Sequence, residues 1–339
     1  GRVGRTTRNA IQIFCCGRFS HPIAARRPDR VKSGCGPPCR RTHFGDTQPN
    51  RQGPPRIMRT AVLEDGKLIV VEGELRPTPG LHQVLVQIKA CVAEVLPQKS
   101  LELFHSMKHH YPVGHEISGA VTEVGAEVGA DFQVGMDVVA FLPVDYPRSG
   151  MAEYALVDSC WASRIPAECS PAECAAMMRP GLQAYTALHY QLRIAKGDSV
   201  LVTRGCYEGR QAIIQMAAHW GGRVFATAYG RDEVHALVDV LDESQIIDLA
   251  SGTPLVSTCM ELSSGLGWDC IVDGGEIGAK PSDSAPSKHE ILSCLAAGGK
   301  WITMVPDVQL DPPDSQLLHW KGASLCFLNE HVWNLSGAQ

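Results

Sequence analysis

From residue 58 the chain alternates apolar and polar positions in short runs: TAVLEDGKLIVVEGEL at 60–75, HQVLVQIKACVA at 82–93, ISGAVTEVG at 117–125 and DVVAFLPV at 137–144. Period-two alternation sets one side of each run on a core and the other in water, which predicts half-buried strands; the intervening glycines and prolines predict turns. After roughly residue 165 the pattern changes. A helix opens at Pro171, and the apolar stretch GLQAYTALHYQL continues as a second one. SVLVT, RVFATAY, DCIVDGG and KWITMV then read as strands, alternating with AIIQMAAHW, VHALVDVL and HEILSCLAAGG as helices. Strand and helix in strict succession imply right-handed crossovers and a parallel sheet covered on both faces. The expected fold class is therefore α/β, with a β-rich domain over 58–180 and a doubly wound parallel-sheet domain over 181–330. Residues 331–339 begin a return to the first domain. The polar stretch EIGAKPSDSAPSK, after Gly274, is expected to be a surface loop.

Composition separates the first 57 residues from the rest. They hold eleven Arg and one Lys against Asp29 and Asp46, about +10, which leaves about −15 on the remaining 282 residues of a chain whose net charge is −5. A Gly-, Pro- and Arg-rich stretch without apolar periodicity cannot bury enough surface to offset the entropy of ordering, so residues 1–57 are expected to be a disordered basic leader. A transit peptide or a phosphate-binding arm would carry similar charge, but neither an amphipathic period nor an initial Met accompanies it, and a dispensable extension is the preferred reading. A nucleic-acid partner is not expected. Cys35, Cys39 and His43 have a zinc-like spacing without a fourth ligand. The cysteines beyond residue 57 form no Cys-x-x-Cys pair, which a reducing compartment permits, and the cytoplasm is the expected location. No run of about eighteen uncharged apolar residues suggests a membrane span.

The stretch VLVTRGCYEGRQAIIQMA at 200–217 has the shape of a dinucleotide-binding opening: strand, tight turn, buried helix. Such a turn uses one glycine to bend, a second to let backbone approach a pyrophosphate and a third to pack helix on strand. Here Gly205 and Gly209 are present, Arg210 stands where the third is expected, and Tyr207 or Glu208 crowds the second. A glutamate beside a pyrophosphate is unfavourable, whereas Arg210 turned outward would clamp phosphate. Either the turn grips a dinucleotide or it survives as a structural bend. Near the end of the next strand no acid precedes Asp232, so a ribose 2′-hydroxyl lacks its usual carboxylate; Arg231, with Thr227 and Tyr229, suits a 2′-phosphate and favours NADP as cofactor.

YPVGHEISGAVTEVGAEV, QVGMDVVAFLPV, GMAEYALV, GLQAYTALHY, GWDCIVDGG and LAAGGKWITMV occur in the order that resembles the medium-chain dehydrogenase/reductases, over roughly residues 59–336. Within that family the chain is most similar to the quinone oxidoreductase (zeta-crystallin) branch. The resemblance implies a chaperonin-10-like catalytic domain followed by a Rossmann domain, and hydride transfer from NADPH to a small-molecule electron acceptor, a quinone or an α,β-unsaturated carbonyl. It places Tyr185 and Asp273 near the nicotinamide end and names no catalytic residue. Its zinc-dependent members put a metal-binding His in the Gly114-His115-Glu116 motif. Their other ligands would fall near Glu94 and Arg179, and Arg179 cannot ligate a cation. No metal is expected, and His115 is read as a hydrogen-bonded histidine near the cleft. Leu96, Phe104 and Met107 are plausible apolar pocket neighbours. LCFLN is the strand that pairs across homodimers in the family. Relatives run further at the C-terminus, from which a less stable catalytic domain is expected here. The rival reading is a non-catalytic scaffold or regulator that keeps the fold.

Overall fold

The computed structural model describes residues 57–93, 110–207, 209–250, 252–274 and 286–335. The basic leader with Cys35, Cys39 and His43, the segment with Glu94, Leu96, Phe104 and Met107, and also Glu208 and residues 275–285 of the polar insertion lie outside the described residues.

Eight strands build the first domain: β1 Ile57–Glu64, β2 Lys67–Leu75, β3 Gln83–Cys91, β4 His110–Pro112, β5 Glu116–Val124, β6 Asp137–Phe141, β7 Tyr154–Asp158 and β8 Ala162–Arg164. They pair antiparallel in two sheets, ordered β2-β1-β4 and β7-β3-β5-β6-β8. Val84, Val86, Ile117, Val121, Val138 and Ala140 make the core of the larger sheet, as the alternation requires. The other face is not fully solvated. Val139 and Phe141 pack on Cys174 and Met178 of helix α1, Pro171–Tyr185.

Helix α1 starts where a capping box closes it: Ser170 accepts from Glu173 N, Glu173 reaches back to the cap, and Pro171 occupies the first turn at no hydrogen-bond cost. Pro180 falls inside the helix, and beyond it Ala184, Leu188 and Leu192 belong to the core of the second domain. The helix thus carries two apolar surfaces in series. It continues as a π-helical stretch, Thr186–Leu192, and stops at Arg193 in the left-handed region.

The second domain is a parallel sheet ordered β11-β10-β9-β12-β13-β14, from β9 Ser199–Val202, β10 Arg223–Ala228, β11 Ile246–Asp248, β12 Trp268–Asp273, β13 Leu295–Thr303 and β14 Ser324–Phe327. Helices α2 Arg210–His219, α3 Arg231–Leu237, α4 Leu255–Leu262, α5 Lys288–Cys294 and α6 Asp314–Lys321 connect its strands. Every residue of β9 is buried, because central parallel strands are covered on both faces. The order reverses between β9 and β12, which opens a crevice at the carboxyl ends of those strands. The short helix α7, Glu330–Trp333, leads back to the first domain, where Val144 N donates to Asn334 O at 3.2 Å and Leu335 packs on the Val139–Phe141 cluster. Among the described residues no helix is long and apolar enough to cross a membrane.

Gly119 on β5 lies so close to β3 that an added Cβ would come 2.0 Å from Gln87 O. The contact is with backbone in the middle of a ladder, so Gly119→Ala is expected to cost about 2–4 kcal/mol, read as a lowered urea midpoint.

Candidate functional site

The turn after β9 is closed by backbone. Thr203 N donates to Val272 O at 2.9 Å, Gly205 N to Thr227 O at 3.0 Å, Tyr207 N to Arg204 O at 3.1 Å and Arg210 N to Tyr207 O at 3.1 Å. Thr227 is fully buried, and its hydroxyl accepts from Arg204 N at 2.8 Å, so this residue ties the turn to β10. A Cβ on Gly205 would meet Ile214 Cδ1 at 2.7 Å and Ala226 Cβ at 2.8 Å. This glycine therefore performs the helix-on-strand packing that the fold usually gives to the third glycine of the turn. Gly209, with φ of 70°, caps α2 in the left-handed region, where a β-carbon is strained.

Arg210 does not turn outward, the condition on which a phosphate clamp rested. It is 6% exposed, and its Nη1 donates to Thr203 O at 3.1 Å and Arg204 O at 3.2 Å. Its guanidinium crosses the end of β12 so closely that a Cβ on Gly274 would lie 1.9 Å from Nε. The reason is the strand end: carbonyls beyond the last ladder bond need donors, and a guanidinium in a fixed fork supplies several at once. A permanent cation thus sits inside the crevice instead of projecting from its rim.

Asp273 binds three strand ends together, accepting from Thr203 Oγ1 and Thr303 Oγ1, each at 3.2 Å. Gly205, Gly209, Arg210, Thr227 and Asp273 are therefore gathered around the carboxyl edge of β9, β10 and β12. Arg231 stands apart, exposed in the first turn of α3.

Two residues escaped the sequence reading. Glu233, in the first turn of α3, reaches back to accept from Tyr229 N at 2.8 Å, which restores a carboxylate to the end of the second strand. Arg204 lies across from it, Nη2 to Oε1 at 2.8 Å, with its guanidinium 4.3 Å from the Tyr207 ring centroid and a hydrogen bond to the Tyr207 hydroxyl. The signal for Glu233 was a glutamate three residues after Gly230, the position from which a side chain reaches back over a helix start. Burial and the Glu233 carboxylate push the Cys206 thiol up to about 11.

In the first domain His115 is 3% exposed; its Nδ1 lies 3.2 Å from Leu142 O, an acceptor, so this nitrogen carries the proton. Its ring stacks on Phe141. Glu116, 1% exposed, accepts from Arg179 Nε at 2.5 Å. A permanent cation engages the carboxylate of the Gly-His-Glu motif, and among the described residues no three His, Cys, Asp or Glu side chains converge on one position. Burial, then the Arg179 charge, lower the pKa of His331 from the ordinary histidine value. Tyr185, expected near the nicotinamide, packs in an aromatic cluster with His189, Tyr190 and Trp220.

No protein-family model matches the chain. It is 36% identical over 291 residues to Quinone oxidoreductase-like protein 1 of Mus musculus, covering 84% of this chain and 83% of that one. Its fold is similar to that of an alcohol dehydrogenase superfamily protein from Novosphingobium aromaticivorans, with a TM-score of 0.68 and 24% identity over 83% of this chain and 82% of that one. A mycobacterial quinone oxidoreductase is also similar, with a TM-score of 0.62 and 21% identity over 80% and 81% of the two chains.

Breaking the Arg179–Glu116 pair tests whether it is structural. Arg179→Met leaves a buried carboxylate uncompensated and is expected to lose about 3–5 kcal/mol in urea unfolding, while adding Glu116→Gln recovers most of the loss. Equal losses in the single and double variants would show that packing, not charge, is what Arg179 supplies.

Proposed function

We propose that this chain, which belongs to the quinone oxidoreductase-like medium-chain dehydrogenase/reductase family, is a zinc-independent, NADPH-dependent oxidoreductase that passes hydride to a quinone or an α,β-unsaturated carbonyl. The observation that carries the reading is the crevice at the strand-order reversal: a glycine-capped helix start beside a buried arginine. Helix N-termini and guanidinium groups both favour a pyrophosphate. Gly205, Gly209 and Arg210 would hold that group and Asp273 the nicotinamide end, with the 2′-phosphate at the carboxyl end of β10. NADPH supplies the hydride when bound. The chain's own contribution would be orientation and exclusion of water. The engagement of Glu116 by Arg179 supports chemistry without a metal. The nine cysteines among the described residues are all free thiols, which supports a reducing compartment such as the cytoplasm.

A second reading, a scaffold or regulator without turnover, is favoured by one observation: side chains already fill the crevice, Arg210 between β9 and β12 and Arg204 against Glu233. Titration of the purified chain separates the two, with tryptophan fluorescence as the readout. NADPH is expected to bind in preference to NADH and to be oxidised when a quinone or enone is added. Failure of both cofactors at millimolar concentration would support the scaffold.

We also propose a homodimer joined along β14, which ends the sheet order and exposes Phe327. Sedimentation should give twice the chain mass, and Phe327→Asp should shift it toward the monomer; a wild-type monomer at micromolar concentration would contradict the dimer.

A further inference from the structure

We infer that Arg204, rather than Arg231, reads the 2′-phosphate of NADPH, and that the Glu233 carboxylate occupies its guanidinium as an internal stand-in for that phosphate until the cofactor arrives. The inference rests on the dinucleotide-binding reading and names the residues that set its selectivity.

Position is the first argument. Arg204 lies in the turn after β9, and Glu233 belongs to the helix that follows β10, so the pair bridges the two neighbouring strand ends between which a dinucleotide's adenosine ribose is held in this fold. Preorganisation is the second. The Arg204 side chain is 11% exposed, stacked on Tyr207, with its backbone N–H fixed to Thr227 Oγ1 at 2.8 Å. Its φ of 45° is a strained value for a residue other than glycine, so the turn bears a backbone cost to place a guanidinium there. Arg231, by contrast, is exposed, and would lose rotamer freedom and suffer salt screening on binding an anion.

Glu233 is built for the exchange. One oxygen, Oε2, accepts from Tyr229 N at 2.8 Å, and the other, Oε1, meets Arg204 Nη2 at 2.8 Å. Releasing the arginine leaves the carboxylate anchored to backbone. A phosphate dianion and this carboxylate would then face one guanidinium, and like charges repel, so Glu233 opposes the phosphate it makes room for. A cofactor without the 2′-phosphate leaves the pair intact.

Calorimetric titration of the full chain with NADPH and NADH tests this in the wild type and in Arg204→Gly, Glu233→Gln and Arg231→Gln. Glycine suits the left-handed backbone at 204, so that variant is expected to fold, and glutamine at 233 keeps an acceptor for Tyr229 N while removing the charge. The ratio of NADPH to NADH affinity should fall about tenfold in Arg204→Gly, rise about threefold to tenfold in Glu233→Gln, and change less than about twofold in Arg231→Gln. Ratios unchanged in both the 204 and 233 variants, or a collapse in Arg231→Gln alone, would overturn the inference while leaving dinucleotide binding intact. A wild type that binds neither cofactor would overturn the reading beneath it as well.

Discussion

A parallel sheet ends in carbonyls that no neighbouring strand can satisfy, and in this protein one buried guanidinium answers that need where the strand order reverses. Arg210 donates to Thr203 O and Arg204 O, and its body crosses the end of β12 where only a glycine, Gly274, leaves room. Much else depends on that placement. The turn is held shut, the first residue of α2 is fixed, and Gly209 must take a left-handed backbone to feed the chain into the helix. A cation in the crevice also changes what the turn can recognise. Three glycines would let a pyrophosphate approach bare backbone; an arginine offers charge instead of space.

Two further charge pairs follow the same physics. Arg179–Glu116 in the first domain and Arg204–Glu233 in the second both place a carboxylate where little water reaches it, and each carboxylate has an arginine within 2.8 Å. An isolated buried charge costs several kcal/mol, so losing either partner is destabilising. The consequences differ. Around Glu116 the arginine engages the carboxylate of a motif that elsewhere in the family serves a metal. Around Glu233 the pair stands beside two solvent-facing tyrosines, Tyr207 and Tyr229.

The fold was legible because it rests on repeating patterns. SVLVT and DCIVDGG read as buried strands and form β9 and β12; the glycine turn falls between strand and helix. The half-buried reading of DVVAFLPV failed at Val139, because helix α1 covers the face that alternation assigned to water. Site chemistry was harder. Glu116 and Arg179 are 63 residues apart, and Arg204 and Glu233 are 29 apart, so no local spacing announces either pair. Arg210 was identified as a residue of the crevice, but its direction depends on two carbonyls and on Gly274, a partner on another strand. Tyr185, which family position sets toward the nicotinamide end, packs with His189, Tyr190 and Trp220, contacts that the apolar pattern of its helix does not specify.

The central claim is that an arginine-filled crevice still receives a dinucleotide. A crystal structure of the chain grown with NADP tests it most directly. The account predicts density for the pyrophosphate against the first turn of α2, with Arg210 still on the Thr203 and Arg204 carbonyls. A well-ordered crevice without cofactor at saturating NADP, or density for the dinucleotide elsewhere on the chain, would contradict it.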